Sequence, residues 1–382
     1  MLLPPSAEER LMRRYAATTH QTKVSSRLRI TRYDNNNQKQ KRTSSSFLGL
    51  RRRITKSSAS SFSQPARSAS SKTTVDNETN GSITNDGAFI SQPQISSETE
   101  TTRTIVFIAE DELYSISLNT DDYVNSNSNN SKLRPHRLTT ATGEVFAPLI
   151  SKCGKFVVFA ASEYFAMELY VVPIEGGQVK QMTFMGADFV RPVSFSNDGR
   201  ELYFISSSQQ KTQDETDVWA LDLSHKEDGD ESEYNTSTLP KAKHPKKLNL
   251  GPATAYEVND ETGLALYARN TQATAPWRRY RGGASGDVWI GSSTSAFVRV
   301  DPLNNFFTCI SQPKWLNSST IVFLAESIAG GVKGLWSYKV VNGDDGVAEQ
   351  QEQTPKLLLE DAYMQTYCIE PSGACIYASR YG

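Results

Sequence analysis

The sequence predicts an all-β chain: a six-bladed β-propeller with its sixth blade incomplete, preceded by a disordered, basic, Ser-rich N-terminal tail. Three observations carry this expectation. Short apolar runs ending in an aromatic recur six times, a second aromatic-bearing run follows each of the first five, and the first hundred residues have a different composition altogether.

The recurring runs are Ile105-Val106-Phe107, Val157-Val158-Phe159, Leu202-Tyr203-Phe204, Leu264-Ala265-Leu266-Tyr267, Ile321-Val322-Phe323 and Cys375-Ile376-Tyr377. Their aromatic positions lie 52, 45, 63, 56 and 54 residues apart. Turn residues precede them where the pattern is clear, as in Ser151-Lys152-Cys153-Gly154, Ser196-Asn197-Asp198-Gly199 and Pro371-Ser372-Gly373. Gly and Asn-Asp supply the positive φ of tight hairpins. The second runs are Leu113-Tyr114, Leu169-Tyr170, Val218-Trp219, Val288-Trp289 and Leu335-Trp336. Closing strands follow, as in Arg137-Leu138-Thr139 and Gln181-Met182-Thr183. Four short strands per ~40–50 residues mark a propeller blade. A β-sandwich also places strands every ~8–12 residues, but it has no need to restate one order six times.

The expected propeller covers residues 102–382, with blades starting near residues 105, 155, 200, 263, 320 and 374. Polar insertions at Asn119–Lys132, Ser224–Lys247 and Asn342–Thr354 read as surface hairpins, where added length costs little loop-closure entropy. The sixth unit shows only its opening, Tyr367 through Ser379, so the sequence is expected to be a fragment of something longer.

Residues 1–101 form the expected tail. Its first 75 positions hold sixteen Lys and Arg against Glu8, Glu9 and Asp34, with too little apolar content to offset the entropy of ordering. The Arg- and Ser-rich, acid-poor start has the composition of an organelle transit segment, and equally of a basic arm or a plain tail. No apolar run approaches the ~20 residues that span a bilayer, so no membrane partner is expected. Net charge is −1, which gives no global field toward nucleic acid. The cluster Arg278, Arg279 and Arg281 beside Trp277 and Tyr280 reads as a stacked polar corner rather than a nucleic-acid patch.

Catalytic chemistry is not indicated. His20 lies in the tail, His225 and His244 in a polar insertion, and His136 in a loop reading as surface. None stands beside a plausible nucleophile, and there is no G-x-S-x-G elbow. Glu110-Asp111-Glu112 and Asp121-Asp122 sit at turn-like positions. Four cysteines show no C-x-x-C spacing, so no metal site is expected, and no cofactor.

One block is not repeated. Gly251-Pro252-Ala253, Arg269-Asn270-Thr271, Trp277, Tyr280-Arg281-Gly282-Gly283, Gly286 and Trp289 resemble the signature of the N-terminal propeller of tricorn proteases. Phe107 through Tyr114 and Phe195 through Arg200 resemble that family's opening strand pair and blade-start turn. The resemblance covers about Thr102–Gly382. It implies a large cytoplasmic serine peptidase that trims oligopeptides downstream of the proteasome, with a six-bladed and a seven-bladed propeller, a PDZ-like domain and a catalytic domain, assembled as hexamers. The propellers there gate peptide traffic, and the catalytic residues belong to the C-terminal half, so none carries over to this chain. For the family's paired arginines that hold substrate C-termini, Arg191 is the lone substrate-binding candidate. The expected partners are peptides, further domains and hexamer mates. The alternative is a stand-alone TolB-like propeller acting as a protein-interaction scaffold.

Overall fold

The computed structural model describes residues 90–97, 102–119, 135–140, 143–163, 166–210, 215–223, 239–240, 242–271, 285–292, 296–342, 348–349, 354–370 and 376–380. The polar stretches 120–134 and 224–238, the block Trp277–Gly283, and His20 and His225 lie outside them.

The first sheet contains β1 (Ile90–Ser97), β2 (Thr102–Ala109), β3 (Glu112–Asn119) and β4 (His136–Arg137), in that order. The second has β5 (Glu144–Ile150), β6 (Phe156–Glu163), β7 (Ala166–Pro173) and β8 (Lys180–Gln181). The third has β9 (Val190–Phe195), β10 (Glu201–Ser206), β11 (Asp217–Asp222) and β12 (Lys246–Pro252). The fourth has β13 (Ala255–Val258), β14 (Ala265–Arg269), β15 (Asp287–Gly291) and β16 (Val298–Arg299). A six-residue helix, α1 (Asp301–Phe306), leads into the fifth: β17 (Phe307–Asn317), β18 (Thr320–Ser327), β19 (Lys333–Lys339) and, after a small hairpin of β20 (Val341–Asn342) and β21 (Ala348–Glu349), β22 (Lys356–Glu360). A last pair, β23 (Met364–Ile369) and β24 (Ile376–Arg380), forms a two-stranded sheet. The fold is an all-β propeller with five four-stranded blades among the described residues.

The repeat seen in the sequence is a cross-strand pair. In all five blades the aromatic of the second strand lies opposite that of the third: Phe107 and Tyr114, Phe159 and Tyr170, Phe204 and Trp219, Tyr267 and Trp289, Phe323 and Trp336. The first three pairs stack with ring centroids 5.9, 5.9 and 6.4 Å apart. Such pairs add about 0.5–1.5 kcal/mol beyond their area burial. Glu110 and Asp111 form the tight turn between β2 and β3 with φ of 51° and 64°, as a two-residue hairpin loop demands.

First strands lie innermost. β1 packs on β5, β5 on β9, β9 on β13, β13 on β17, and β23 on β1. Tyr367 of β23 donates its hydroxyl hydrogen to Gln312 O and Val322 O of the fifth blade, at 2.5 and 2.8 Å. Among the described residues, six apolar clusters fill the gaps between neighbours, from Val106, Val145 and Phe159 between the first two blades to Ile95, Phe107 and Cys368 where β23 meets the first.

Two expectations change. Each blade begins one strand earlier than the starts near 105, 155, 200, 263, 320 and 374, which are the second strands; the true first strands begin at Ile90, Glu144, Val190, Ala255, Phe307 and Met364. The propeller therefore reaches upstream of the 101/102 boundary, because β1 lies in the stretch assigned to the tail. The reason is burial. A second strand is covered on both faces and reads as an unbroken apolar run, whereas an innermost strand such as Ile90-Ser91-Gln92-Pro93-Gln94-Ile95-Ser96-Ser97 borders the axis and carries polar residues.

Blade closure has its own chemistry. In the second blade, the Leu169 N–H donates to Thr183 Oγ1 at 2.9 Å, and that hydroxyl donates to Glu168 Oε2 at 2.6 Å. The other Glu168 oxygen accepts the Gly186 N–H at 2.6 Å. The first blade repeats this with Leu113, Thr139 and Glu112. Glu168→Ala is expected to cost about 3 kcal/mol in urea unfolding, since it removes two hydrogen bonds to a buried carboxylate. The exposed Glu175→Ala should stay within about 0.5 kcal/mol of wild type.

Candidate functional site

The six innermost strands surround an axial cavity of about 880 Å³, lined at their C-terminal ends by residues including Ser96, Ile150, Val193, Glu257, Lys314 and Glu370. Each of these six comes from a different unit of the ring, so the cavity exists only when the ring is assembled.

Deeper along the same strands lies a tier of X-Pro bulges: Gln92-Pro93, Ala147-Pro148, Arg191-Pro192 and Gln312-Pro313. Ladder register slips across the first, second and fourth, and in β9 it slips one residue later, at Val193. Gln92, Ala147 and Gln312 take φ of 50°, 45° and 51°, rare for residues with a Cβ. Proline has no N–H to leave orphaned there. Side chains of this tier bridge neighbouring blades. Gln92 Oε1 accepts the Ala147 N–H at 2.5 Å, Arg191 Nη2 donates to Thr254 O at 2.5 Å, and Gln312 Nε2 donates to Gln365 O at 2.9 Å. Sequence reasoning missed this tier. The four prolines at matching points before the aromatic runs were the available signal.

Arg191, the substrate-binding candidate, is thus a blade-to-blade bridge on an innermost strand. Its Nε is buried without an acceptor. Burial pulls its guanidinium down to about 10, so it remains charged at neutral pH.

Charged groups gather at the mouth. Lys152 of the turn after β5 reaches past the third blade's turn to pair with Asp260 of the fourth at 2.5 Å. Gly199 lies beneath it with φ 69°, and a Cβ there would meet Lys152 Cβ at 3.3 Å. Glu257 Oε2 accepts the Trp315 N–H at 2.9 Å, joining the fourth blade to the fifth. Burial raises the Glu257 carboxyl above the ordinary range, opposed chiefly by Lys314. The Lys314 ammonium sits 5.8 Å from the Tyr367 ring centroid. Burial, with Glu257 nearby, holds the Tyr367 phenol well above its usual value.

The described part of the unrepeated block forms a corner away from this mouth. Pro252 O accepts hydrogen bonds from Tyr267 OH at 2.5 Å and Arg269 Nε at 2.9 Å. The Arg269 guanidinium lies 5.6 Å from the Tyr267 ring and 5.2 Å from the Trp289 ring. Asn270 turns the chain with φ 55°, and the Thr271 N–H donates to Thr254 Oγ1 at 2.9 Å. Gly286 must be glycine: an added Cβ would stand 2.2 Å from Ile310 O of the next blade. The corner is architectural. Arg269 and Gly286 in particular are held by contacts that another residue type would break.

No group of three or more His, Cys, Asp and Glu side chains that could hold a metal occurs among the described residues. His136 is exposed on β4, its ring pressed against Gly176. No helix among the described residues is long and apolar enough to cross a membrane.

Residues 87–356 match the tricorn protease N-terminal beta propeller domain. The chain belongs to this family. The tricorn protease of Thermoplasma volcanium is 25% identical over 214 residues, which cover 54% of this chain and 18% of that relative. Tricorn protease homolog 1 of Streptomyces coelicolor is 28% identical over 255 residues, covering 64% and 20%. The matched region thus spans at most about a fifth of these relatives' length. The crystal structure of the tricorn protease superposes with a TM-score of 0.52 at 19% identity, over 76% of this chain and 26% of that one. A protein solved as a candidate TolB from Agrobacterium tumefaciens gives 0.51 at 13%, over 78% and 91%. These two likenesses establish the propeller fold.

Two measurements check the geometry. Arg269→Lys should destabilise by about 1–2 kcal/mol, because an ammonium loses the planar stack and the Nε bond. For Glu257 the folded value lies above the unfolded one, so folding takes up a proton there. Its contribution is present at acid pH and is lost as pH rises through the raised value. Urea unfolding between about pH 4 and pH 8 should therefore show wild type losing stability relative to Glu257→Gln as pH rises. A flat difference refutes this.

Proposed function

We propose that this chain is the six-bladed propeller of a tricorn-type serine protease, and that its axial bore admits or releases oligopeptides. On this reading β23 and β24 are the inner half of the sixth blade, and peptide cleavage belongs to other domains of a longer protein that assembles as a hexamer.

The observation that carries the proposal is the cavity of about 880 Å³ bordered by all six innermost strands. That volume falls within the ~300–1,000 Å³ common for ligand sites. Its lining mixes apolar residues such as Ile95, Val193 and Trp315 with charges of both signs, which suits extended peptides of varied sequence. Arg191 is proposed to meet peptide carboxylates from its place on an innermost strand, with its unsatisfied Nε as the supporting observation.

Fluorescence anisotropy of the full chain with labelled oligopeptides tests this. Saturable binding is expected without cleavage, and Val193→Trp, which fills the bore, should weaken it by about tenfold, or 1.4 kcal/mol. Arg191→Met should weaken peptides with a free C-terminus more than amidated ones. Absence of peptide binding, or full binding by a folded Val193→Trp variant, overturns the channel reading. Capture of a folded protein in place of peptides would favour the scaffold reading. We also propose a cytoplasmic location. A C-terminally tagged full chain should give diffuse fluorescence, and import into an organelle with loss of the N-terminus would overturn that.

A further inference from the structure

The mouth of the bore carries a charge pattern that peptide passage alone does not require. Five carboxylates line it, Glu175, Glu257, Asp260, Glu261 and Glu370, against the three lysines Lys152, Lys155 and Lys314. Two of the lysines are already engaged. Lys152 pairs with Asp260, and Lys314 lies over the Tyr367 ring within the field of Glu257.

Glu370 differs from the other four. It directly follows β23, at the seam where the last strand pair meets the first blade, and its side chain is 2% exposed. Arg103 Nη2 of β2 holds Oε1 at 2.8 Å. The other oxygen, Oε2, is buried and accepts no hydrogen bond. A carboxylate has roughly four acceptor positions on its two oxygens, and leaving a buried charge short of donors is costly. Gln94, Ile95, Ser96 and Ile369 line the same sector of the cavity. No described residue donates to this oxygen, and the bore is the open space beside it.

We propose that Glu370 is a subsite for the ammonium or guanidinium group of a peptide, so that the mouth favours basic peptides with free N-termini over acidic ones. This rests on the peptide-channel reading and adds a selectivity to it. A cationic donor fits better than a neutral one because, beyond the Lys152–Asp260 and Arg103–Glu370 pairs, Glu175, Glu257 and Glu261 outnumber Lys155 and Lys314. A metal ion fits worse: the Arg103 guanidinium already holds the carboxylate, and no cluster of three metal-binding side chains occurs among the described residues. An acidic peptide would bring like charge to Glu175 and Glu261, which no Lys or Arg of the described residues pairs.

The test uses the full chain and two labelled peptides of equal length, one Lys-rich with a free amine and one Glu-rich and acetylated. The basic peptide should bind about tenfold more tightly at low salt, with the gap closing as salt screens the mouth. Glu370→Gln keeps the shape and an acceptor for Arg103, and should remove most of the preference. Should that variant fail to fold, wild type alone decides, by comparing the Lys-rich peptide free and acetylated at low and high salt. Equal affinity for both peptides, or an intact preference in folded Glu370→Gln, overturns the subsite and leaves the channel standing. Binding of neither peptide overturns the channel reading and the subsite with it.

Discussion

The structure depends first on one pairing made five times: an aromatic on the second strand of a blade set opposite an aromatic on the third. A strand that slips by one residue turns all its side chains to the other face, so a large buried pair at a fixed rung sets the register of the whole sheet. Phe159 against Tyr170 and Phe204 against Trp219 fix which residues face the neighbouring blades. With that decided, Val158, Leu169 and Leu202 meet in one inter-blade cluster, and Leu266, Ile290 and Phe323 in another. The threonine and carboxylate pairs at Thr139–Glu112 and Thr183–Glu168 then close the outer edge. Inner geometry follows from outer packing.

This explains what the sequence discloses. Second strands are buried on both faces along apolar runs, and each third strand carries an apolar-aromatic core, so their repeat is visible without a structure. The innermost strands are read by different physics. Residues such as Gln94 and Glu257 face an axial space, and residues such as Gln312 face a neighbouring backbone. Their polar character is local to the ring's assembly and resembles loop composition, which is why β1 reads as part of the tail. The mouth was hidden for a related reason. Lys152, Asp260, Glu257, Lys314 and Glu370 are scattered over more than two hundred positions, and only closure of the ring brings them to one rim.

The unrepeated block was legible in the opposite sense, as identity before meaning. Arg269, Gly286 and Trp289 carry the resemblance in the sequence, while their structural role emerges from contacts with Pro252, Ile310 and Tyr267. The packing problem these residues solve is the close approach of the third, fourth and fifth blades. Gly251 lies under the Arg269 guanidinium, and Gln312 of β17 bonds back to Thr271 O.

The Lys152–Asp260 bridge bears on how such a chain diversifies. It passes from the second blade to the fourth above the turn of the third, with Gly199 directly below. That turn has no freedom to lengthen without severing the bridge. Residues 120–134, 224–238 and 343–347, in contrast, all fall in chain order between the third and fourth strands of a blade. The fold therefore tolerates added length unevenly: an insertion between the third and fourth strands disturbs no contact described above, whereas one in the third blade's turn has to displace an ion pair.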